Sequence, residues 1–169
     1  MVEISRLKEI VRLYTEMKWH YSEAPDPQKD ITAYAEWRKK NRKRMNEYLA
    51  AWSYEEILEL EGTMVYGREL YQHGGIDSVN EYVLEIARIS GEPKASDAKE
   101  VLDLQNPTKW INNAAERFRE LYPDADGTPQ AIDYLLQKPL DRYLSAVIEA
   151  LERRVHYGYA DCADTNCKG

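Results

Sequence analysis

Apolar residues recur along most of the chain at steps of three and four, the repeat of helices that bury one face. Residues 31–52 show this pattern most clearly. The stripe there consists of Tyr34, Trp37, Asn41, Met45, Tyr48 and Trp52. No segment alternates apolar and polar residues for long enough to predict a β-strand. The pattern therefore predicts an all-α protein.

Breaks at prolines, glycines and capping residues divide this pattern into seven or eight helices in a single-domain bundle. We expect one domain over residues 1–158, comprising an N-terminal helical pair (1–52) and a helical body (53–158), with a flexible tail at 159–169. The predicted helices cover residues 3–21, 31–52, 53–71, 78–90, 107–121, 128–136 and 139–157, with a short one near 97–104 and a cap at Gly158.

The helix at 53–71 is the one around which the others are expected to pack. Ser53 and Glu56 form a capping-box pattern at its start, and Tyr71 is predicted to close its buried stripe. Gly62 and Gly67 interrupt the helix, and each disfavours it by about 1 kcal/mol relative to Ala. They indicate close contact with a neighbour, or bending.

Several packing details follow from the same reading. Because almost no loop separates them, the helices at 31–52 and 53–71 are predicted to form an antiparallel or sharply angled pair. Ser78 and Glu81 suggest a second capping box. The predicted inward residues of the later helices include Tyr82, Ile86, Ile89 and Leu121.

Charge is distributed unevenly along the chain. The net charge is −7, but residues 1–52 hold 11 Lys and Arg against 8 Asp and Glu. An acidic protein is a poor general nucleic-acid binder, because contacts to phosphate dominate that affinity. No signal peptide or membrane-spanning run is evident, so we expect a cytoplasmic protein that binds no membrane.

Six basic residues fall within seven positions, 38–44, around the aromatic stripe of the second helix. One interpretation is a solvated helix face. The other is a binding surface for an acidic partner or an anion, with Arg38, Arg42 and Lys43 as the candidate binding residues. The sequence leaves both open.

Tyrosine and tryptophan are abundant, with 13 Tyr and 4 Trp against 1 Phe. Such residues suit interfaces, because each joins an apolar ring to a polar group. On the central helix, Tyr66, Arg68 and Tyr71 form a second candidate binding group. Arg68 either pairs with acidic neighbours inside the fold or binds a carboxylate or phosphate.

Recognisable catalytic and cofactor motifs are missing from the sequence. The three histidines lack metal-ligand spacing, and the loop containing Asp124 and Asp126 lacks the glutamate that closes an EF-hand. We therefore predict no catalytic residue, metal or cofactor. Cys162 and Cys167 are assigned to a frayed tail, with half a metal site or a small disulfide loop as alternatives.

The segments MVYGRELY and TPQAIDYLLQKPLDRYLSAVIEAL carry a resemblance. Their hydrophobic-Gly-Arg step and their Tyr-Leu-Leu-x-x-Pro-Leu pattern resemble an uncharacterised bacterial helical family, a domain of unknown function. The resemblance covers roughly residues 54–151. It implies a common helical fold and no known activity.

Three hypotheses about function follow. The first is a non-catalytic interaction or regulatory protein, such as an inhibitor, an adaptor or a phage-type anti-defence protein, which binds a protein partner or itself through the aromatic and basic face. The second is a binder of a small anionic ligand, a nucleotide or another phosphate compound. The third is an enzyme with an unrecognised site.

Overall fold

The computed structural model describes residues 2–90 and 104–157, and it is all-α within these two ranges, as predicted. Two 3₁₀ turns, at His20–Glu23 and Ala125–Gly127, accompany the helices. The seven helices of the described ranges are α1 (Ile4–Trp19), α2 (Ile31–Ala50), α3 (Tyr54–Gln72), α4 (Ile76–Ser90), α5 (Pro107–Leu121), α6 (Thr128–Leu135) and α7 (Leu140–Tyr157). The predicted helix near 97–104 lies outside these ranges except for Leu104, as do the cap at Gly158 and the tail at 159–169.

Helix α3 is the central helix, packed mainly between α5 and α7, with α6 against it as well. Its buried residues occur on all sides and are Ile57, Leu58, Leu60, Glu61, Gly62, Thr63, Met64, Tyr66, Gly67 and Leu70. Tyr71 is 48% exposed, so its predicted inward position is wrong. In the last turn of α3, Leu70 faces the core and is fully buried. Tyr71 points to another side, where its ring lies against that of Tyr143 near the surface.

The two glycines of α3 mark its closest helix contacts. A Cβ atom at Gly62 would lie 3.1 Å from the backbone nitrogen of Ala115 in α5. One at Gly67 would lie 2.7 Å from the carbonyl carbon of Tyr143 in α7. The absence of a side chain therefore allows α5 and α7 to approach α3 from two sides, which confirms the prediction of close contact.

Helix α2 packs on α1 and, through its other flank, on α6, whereas α3 packs on α5 and α7. The predicted antiparallel pairing of α2 with α3 is therefore wrong, whereas the alternative of a sharply angled pair stays a prediction. The acidic start of α3 pairs with other helices instead. Glu56 accepts from Arg6 of α1, and Glu55 accepts from Arg119 of α5 at 2.6 Å. Helix α1 also packs along α7, which ties the N-terminal helices directly to the body.

The start of α4 differs from the prediction. The helix begins at Ile76, two residues before Ser78, so the predicted second capping box is wrong. This start places Ile76 and Val79 inward and leaves Tyr82 46% exposed, contrary to prediction. The side chains of Ile86 and Ile89 lie outside the described part.

Two further observations complete the fold. Leu121 is 68% exposed, not buried as predicted, because α5 ends there and the next residue, Tyr122, already accepts a hydrogen bond from Tyr54 of α3. No helix among the described residues combines the length and the apolar character needed to cross a membrane.

The two predicted capping boxes allow a matched test. The Ser53 side chain accepts from the backbone N–H of Glu56, and the Glu56 carboxylate accepts from the N–H of Ser53 at 2.8 Å. Ser53→Ala is expected to lower the free energy of unfolding by about 1 kcal/mol, because the Glu56 N–H loses the hydroxyl to which it donates. Ser78→Ala should change it by clearly less, since Ser78 only donates to the Gly74 carbonyl at 3.3 Å. Urea denaturation of both variants checks this, and equal losses would contradict it.

Candidate functional site

The structure separates the three predicted binding residues of α2. Arg42 is only 8% exposed, and its Nη1 lies 3.6 Å from an oxygen of Asp133 in the contact with α6. Arg38 is half-buried one turn earlier on the same flank. Lys43 is exposed on another side and lies 3.7 Å from Glu47. These three residues do not form one surface, because the first two face the body of the protein.

The predicted group on α3 is also divided. Tyr66 is fully buried, and its hydroxyl donates to the Leu104 carbonyl at 3.0 Å. Arg68 is partly exposed and donates to the carboxylate of Glu69 at 2.7 Å. Tyr71 is exposed at the end of the helix. Since Tyr66 faces the core, the three side chains do not converge on a common ligand position.

The most exposed large apolar side chain in the described residues is Trp19, at 78%. It is the last residue of α1, and helical spacing places it on the polar side with Arg12, Thr15 and Glu16. The sequence contains this signal, because the tryptophan falls outside the apolar stripe of its helix. Tryptophan side chains that become buried when a partner binds often contribute strongly to the binding free energy. The exposed Trp19 is therefore a candidate contact point.

An aromatic cluster joins the end of α1 to the start of α2. The rings of Tyr21 and Trp37 meet edge to face with centroids 5.3 Å apart, and Tyr34 stacks on Trp37 at 5.9 Å. Tyr21 is 41% exposed, whereas the other two rings are partly buried. The cluster therefore combines one ring that is exposed to solvent with two that are partly buried beneath it in the contact.

Basic side chains continue from this cluster along α2. Lys40 and Arg44 follow Trp37 by three and seven residues, which places them on its side of the helix. Arg44 donates to Glu16 of α1 at 2.8 Å, so this side faces α1. The amide of Asn41 donates to the Met17 carbonyl at 3.0 Å and fixes the two helices in register. We call the combined region the aromatic–basic surface; it comprises Arg12, Trp19, Tyr21, Trp37, Lys40 and Arg44.

An open cavity of about 580 Å³ lies within this surface. Its lining residues are Arg12, Thr15, Glu16, Trp19, His20 and Arg44. Arg12 also donates to both oxygens of Glu9, at 2.8 and 2.6 Å, and this hydrogen bonding lowers the pKa of Glu9. The cavity thus combines an exposed indole with two guanidinium groups, and both guanidinium groups donate to Glu16, which lines the cavity as well.

A second polar feature lies inside the protein. Glu61 of α3 is fully buried, and neither of its carboxylate oxygens has a hydrogen-bond partner. Burial raises its pKa to about 8. Its charge also contributes to raising the pKa of Tyr122, after the larger effect of burial. Helical spacing places Glu61 on the buried side of α3, because it falls one turn after Ile57 and Leu58. Glu61 is nevertheless not among the residues predicted from the sequence to form a site.

Among the described residues, no group of three or more His, Cys, Asp or Glu side chains is placed to hold a metal ion. Comparison with known proteins adds no further assignment, since no protein-family model, curated protein or solved structure matches the chain. The family resemblance of residues 54–151 therefore stays a prediction.

Proposed function

We propose that the protein is a non-catalytic interaction protein that binds an acidic segment of a partner protein through the aromatic–basic surface. The observation that carries the proposal is Trp19, which is 78% exposed, lines a cavity with two arginines and stands two residues before Tyr21 of the aromatic cluster. Interfaces concentrate their binding energy in tryptophan, tyrosine and arginine. This surface brings all three together.

The distribution of charge supports an acidic partner. Helix α2 carries six basic residues against two acidic ones, within a chain whose net charge is −7. Lys39 and Lys40 are exposed, and neither belongs to an ion pair within residues 2–90 and 104–157. A partner with carboxylates would complement this local excess, and complementary charge accelerates association and excludes basic partners.

The aromatic groups restrict the partner further. Burial of apolar surface is the dominant favourable contribution in most protein–protein association. An acidic segment without apolar side chains would leave Trp19 and Tyr21 in water and gain little from them. The expected partner segment therefore combines acidic residues with aromatic or aliphatic ones.

Selection from a phage-displayed library of random dodecapeptides against the immobilised protein tests this proposal. We expect the enriched peptides to contain more Asp and Glu than the library, together with apolar residues. Trp19→Ala is expected to weaken their binding at least about tenfold, because truncation removes the main apolar anchor. Lys40→Glu should weaken it as well, and added salt should reduce the affinity of the unchanged protein.

Leu121→Ala is the matched control, because Leu121 is 68% exposed on α5, outside the aromatic–basic surface. It should leave peptide binding unchanged. Recovery of no acidic peptides, or of peptides that bind Trp19→Ala as well as the unchanged protein, would contradict the proposal. So would tighter binding of a single-stranded oligonucleotide than of any acidic peptide at the same ionic strength.

A further inference from the structure

The cavity in the aromatic–basic surface holds an arginine–glutamate–arginine arrangement. Glu16 accepts from the Nη1 of Arg12 through one oxygen and from the Nη1 of Arg44 through the other, the latter at 2.8 Å. Its carboxylate therefore joins a cation of α1 to a cation of α2. Two guanidinium groups directed at one carboxylate form a directional anion-binding geometry.

We infer that Glu16 occupies, in the free protein, the position that a carboxylate of the partner segment takes in the complex. This inference rests on the proposed function and assigns a regulatory role to one residue of the same site. Glu16 competes with the partner for Arg12 and Arg44. It thereby limits the affinity of the surface for weakly acidic segments.

Exposure allows the exchange of one carboxylate for another. The side chains of Glu16, Arg12 and Arg44 are 41%, 46% and 70% exposed. Ion pairs at this level of exposure contribute little to stability and are readily replaced. The indole of Trp19 lines the same cavity, so an apolar side chain next to the incoming carboxylate has a surface on which to pack.

The two arginines differ in how firmly they are held. Arg12 keeps two hydrogen bonds to Glu9 when Glu16 leaves, so its guanidinium stays in place. Arg44 makes its ion pair with Glu16, and among the described residues it donates to no second carboxylate, although Glu9 attracts it electrostatically from a longer distance. Loss of Glu16 therefore leaves Arg44 free to bind an external carboxylate with both of its terminal nitrogens.

The test uses Glu16→Gln, which preserves size and removes the competing charge. The probe is the acidic dodecapeptide with the highest affinity in the selection described above, synthesised with a fluorescein label. A copy with amides in place of its carboxylates serves as the uncharged probe. We expect Glu16→Gln to tighten binding of the acidic peptide about fivefold, as expected for the release of an exposed ion pair, and to leave the uncharged peptide unaffected.

Glu47→Gln is the matched control, because it changes the net charge equally on the same helical pair. Glu47 lies outside the cavity, is 65% exposed and pairs with Lys43 at 3.7 Å. Tightening by Glu16→Gln alone supports the inference. Equal tightening by both variants overturns it, because the effect is then one of net charge, and so does an unchanged or weaker affinity of Glu16→Gln.

The two proposals fail in different ways. If Trp19→Ala weakens binding but Glu16→Gln behaves like Glu47→Gln, the surface binds the partner and the competition by Glu16 is absent. If Trp19→Ala binds the peptide normally, or if no acidic peptide is recovered, both proposals are overturned.

Discussion

Raising the pH from about 5 to about 8 is expected to lower the free energy of unfolding by several kcal/mol, through Glu61. Its carboxyl group is buried without a hydrogen-bond partner, and burial raises its pKa to about 8. In the unfolded chain the same group titrates near about 4.3. Between these values the folded state binds more protons than the unfolded state, so stability falls as the pH rises.

The pKa difference between the folded and unfolded states sets the largest change in the free energy of unfolding that Glu61 can cause. The stabilisation by the protonated form is complete below a pH of about 4.3 and is lost as the pH rises through the folded-state pKa. The pKa difference corresponds to about 5 kcal/mol. This is a large fraction of the 5–15 kcal/mol that is typical of folded proteins.

Glu61→Gln isolates the contribution of this residue, because it keeps the shape and removes the titration. Urea denaturation of both proteins across this pH range should give a steep fall for the unchanged protein and a much flatter curve for the variant. The remaining titratable groups are the same in both proteins, so the difference between the two curves reports Glu61. Parallel curves would contradict the assignment. Glu61→Leu should stabilise the protein at about pH 8, since it buries no charge.

Lowering the pH below about 4 should reduce the free energy of unfolding through Glu56 at the start of α3, whereas for Glu61 it is a rise in pH that reduces it. The hydrogen bond from Arg6 is the largest of the effects that lower the pKa of Glu56, to about 2. A carboxylate with a lowered pKa stabilises the fold above its unfolded pKa, and this stabilisation is lost as the pH falls towards about 2. The titration of Glu61 above a pH of about 4.3 can therefore be measured separately.

Gly67→Ala is expected to lower the free energy of unfolding by about 3 kcal/mol. The added Cβ would lie 2.7 Å from the carbonyl carbon of Tyr143 and 2.8 Å from a methyl carbon of Val147. The first is a backbone atom of α7, so a side-chain rotation cannot relieve the contact. Helices α3 and α7 would have to separate, which weakens one of the main packing contacts of the core.

Whether Gly67→Ala lowers or raises the free energy of unfolding is the decisive observation. Ala favours a helix interior by about 1 kcal/mol over Gly, so the same substitution at an uncrowded position would stabilise the protein. Asn46→Ala, on the exposed side of α2, provides the comparison and should be neutral or slightly stabilising. Thermal and urea unfolding measure both variants. A stable Gly67→Ala protein would show that α7 does not press on α3 at this position.

Much of the fold could be predicted from the sequence because its helices carry local signals. Ser53 and Glu56 start α3, as predicted. Signals of the same local kind start two other helices, since Asp30 caps α2 and Asn106 with Pro107 starts α5. These features depend on residues within one turn of each other. The start of α4 was misplaced because Gly74 and Gly75, both with positive φ, allow the next helix to begin at once.

The candidate site was harder to predict because it depends on which helices meet. The basic run of α2 surrounds the helix, and only packing decides that Arg42 is buried while Arg44 reaches Glu16 of α1. The sequence includes Trp19 on a polar helix face but does not show that Arg44 lines the same cavity. The contact between α1 and α2 is a tertiary contact, and local sequence patterns do not specify which helices meet.

The most direct test of the aromatic–basic surface uses the indole N–H signals of the four tryptophans in a ¹H–¹⁵N spectrum. The selected acidic dodecapeptide is titrated into the labelled protein, and each signal is assigned with a Trp→Phe variant. We expect Trp19 and Trp37 to shift most and Trp52, which is 6% exposed, to stay nearly constant. Larger shifts at Trp52 or Trp110 than at Trp19, or an unchanged Trp19 signal at saturation, would show that the partner binds elsewhere.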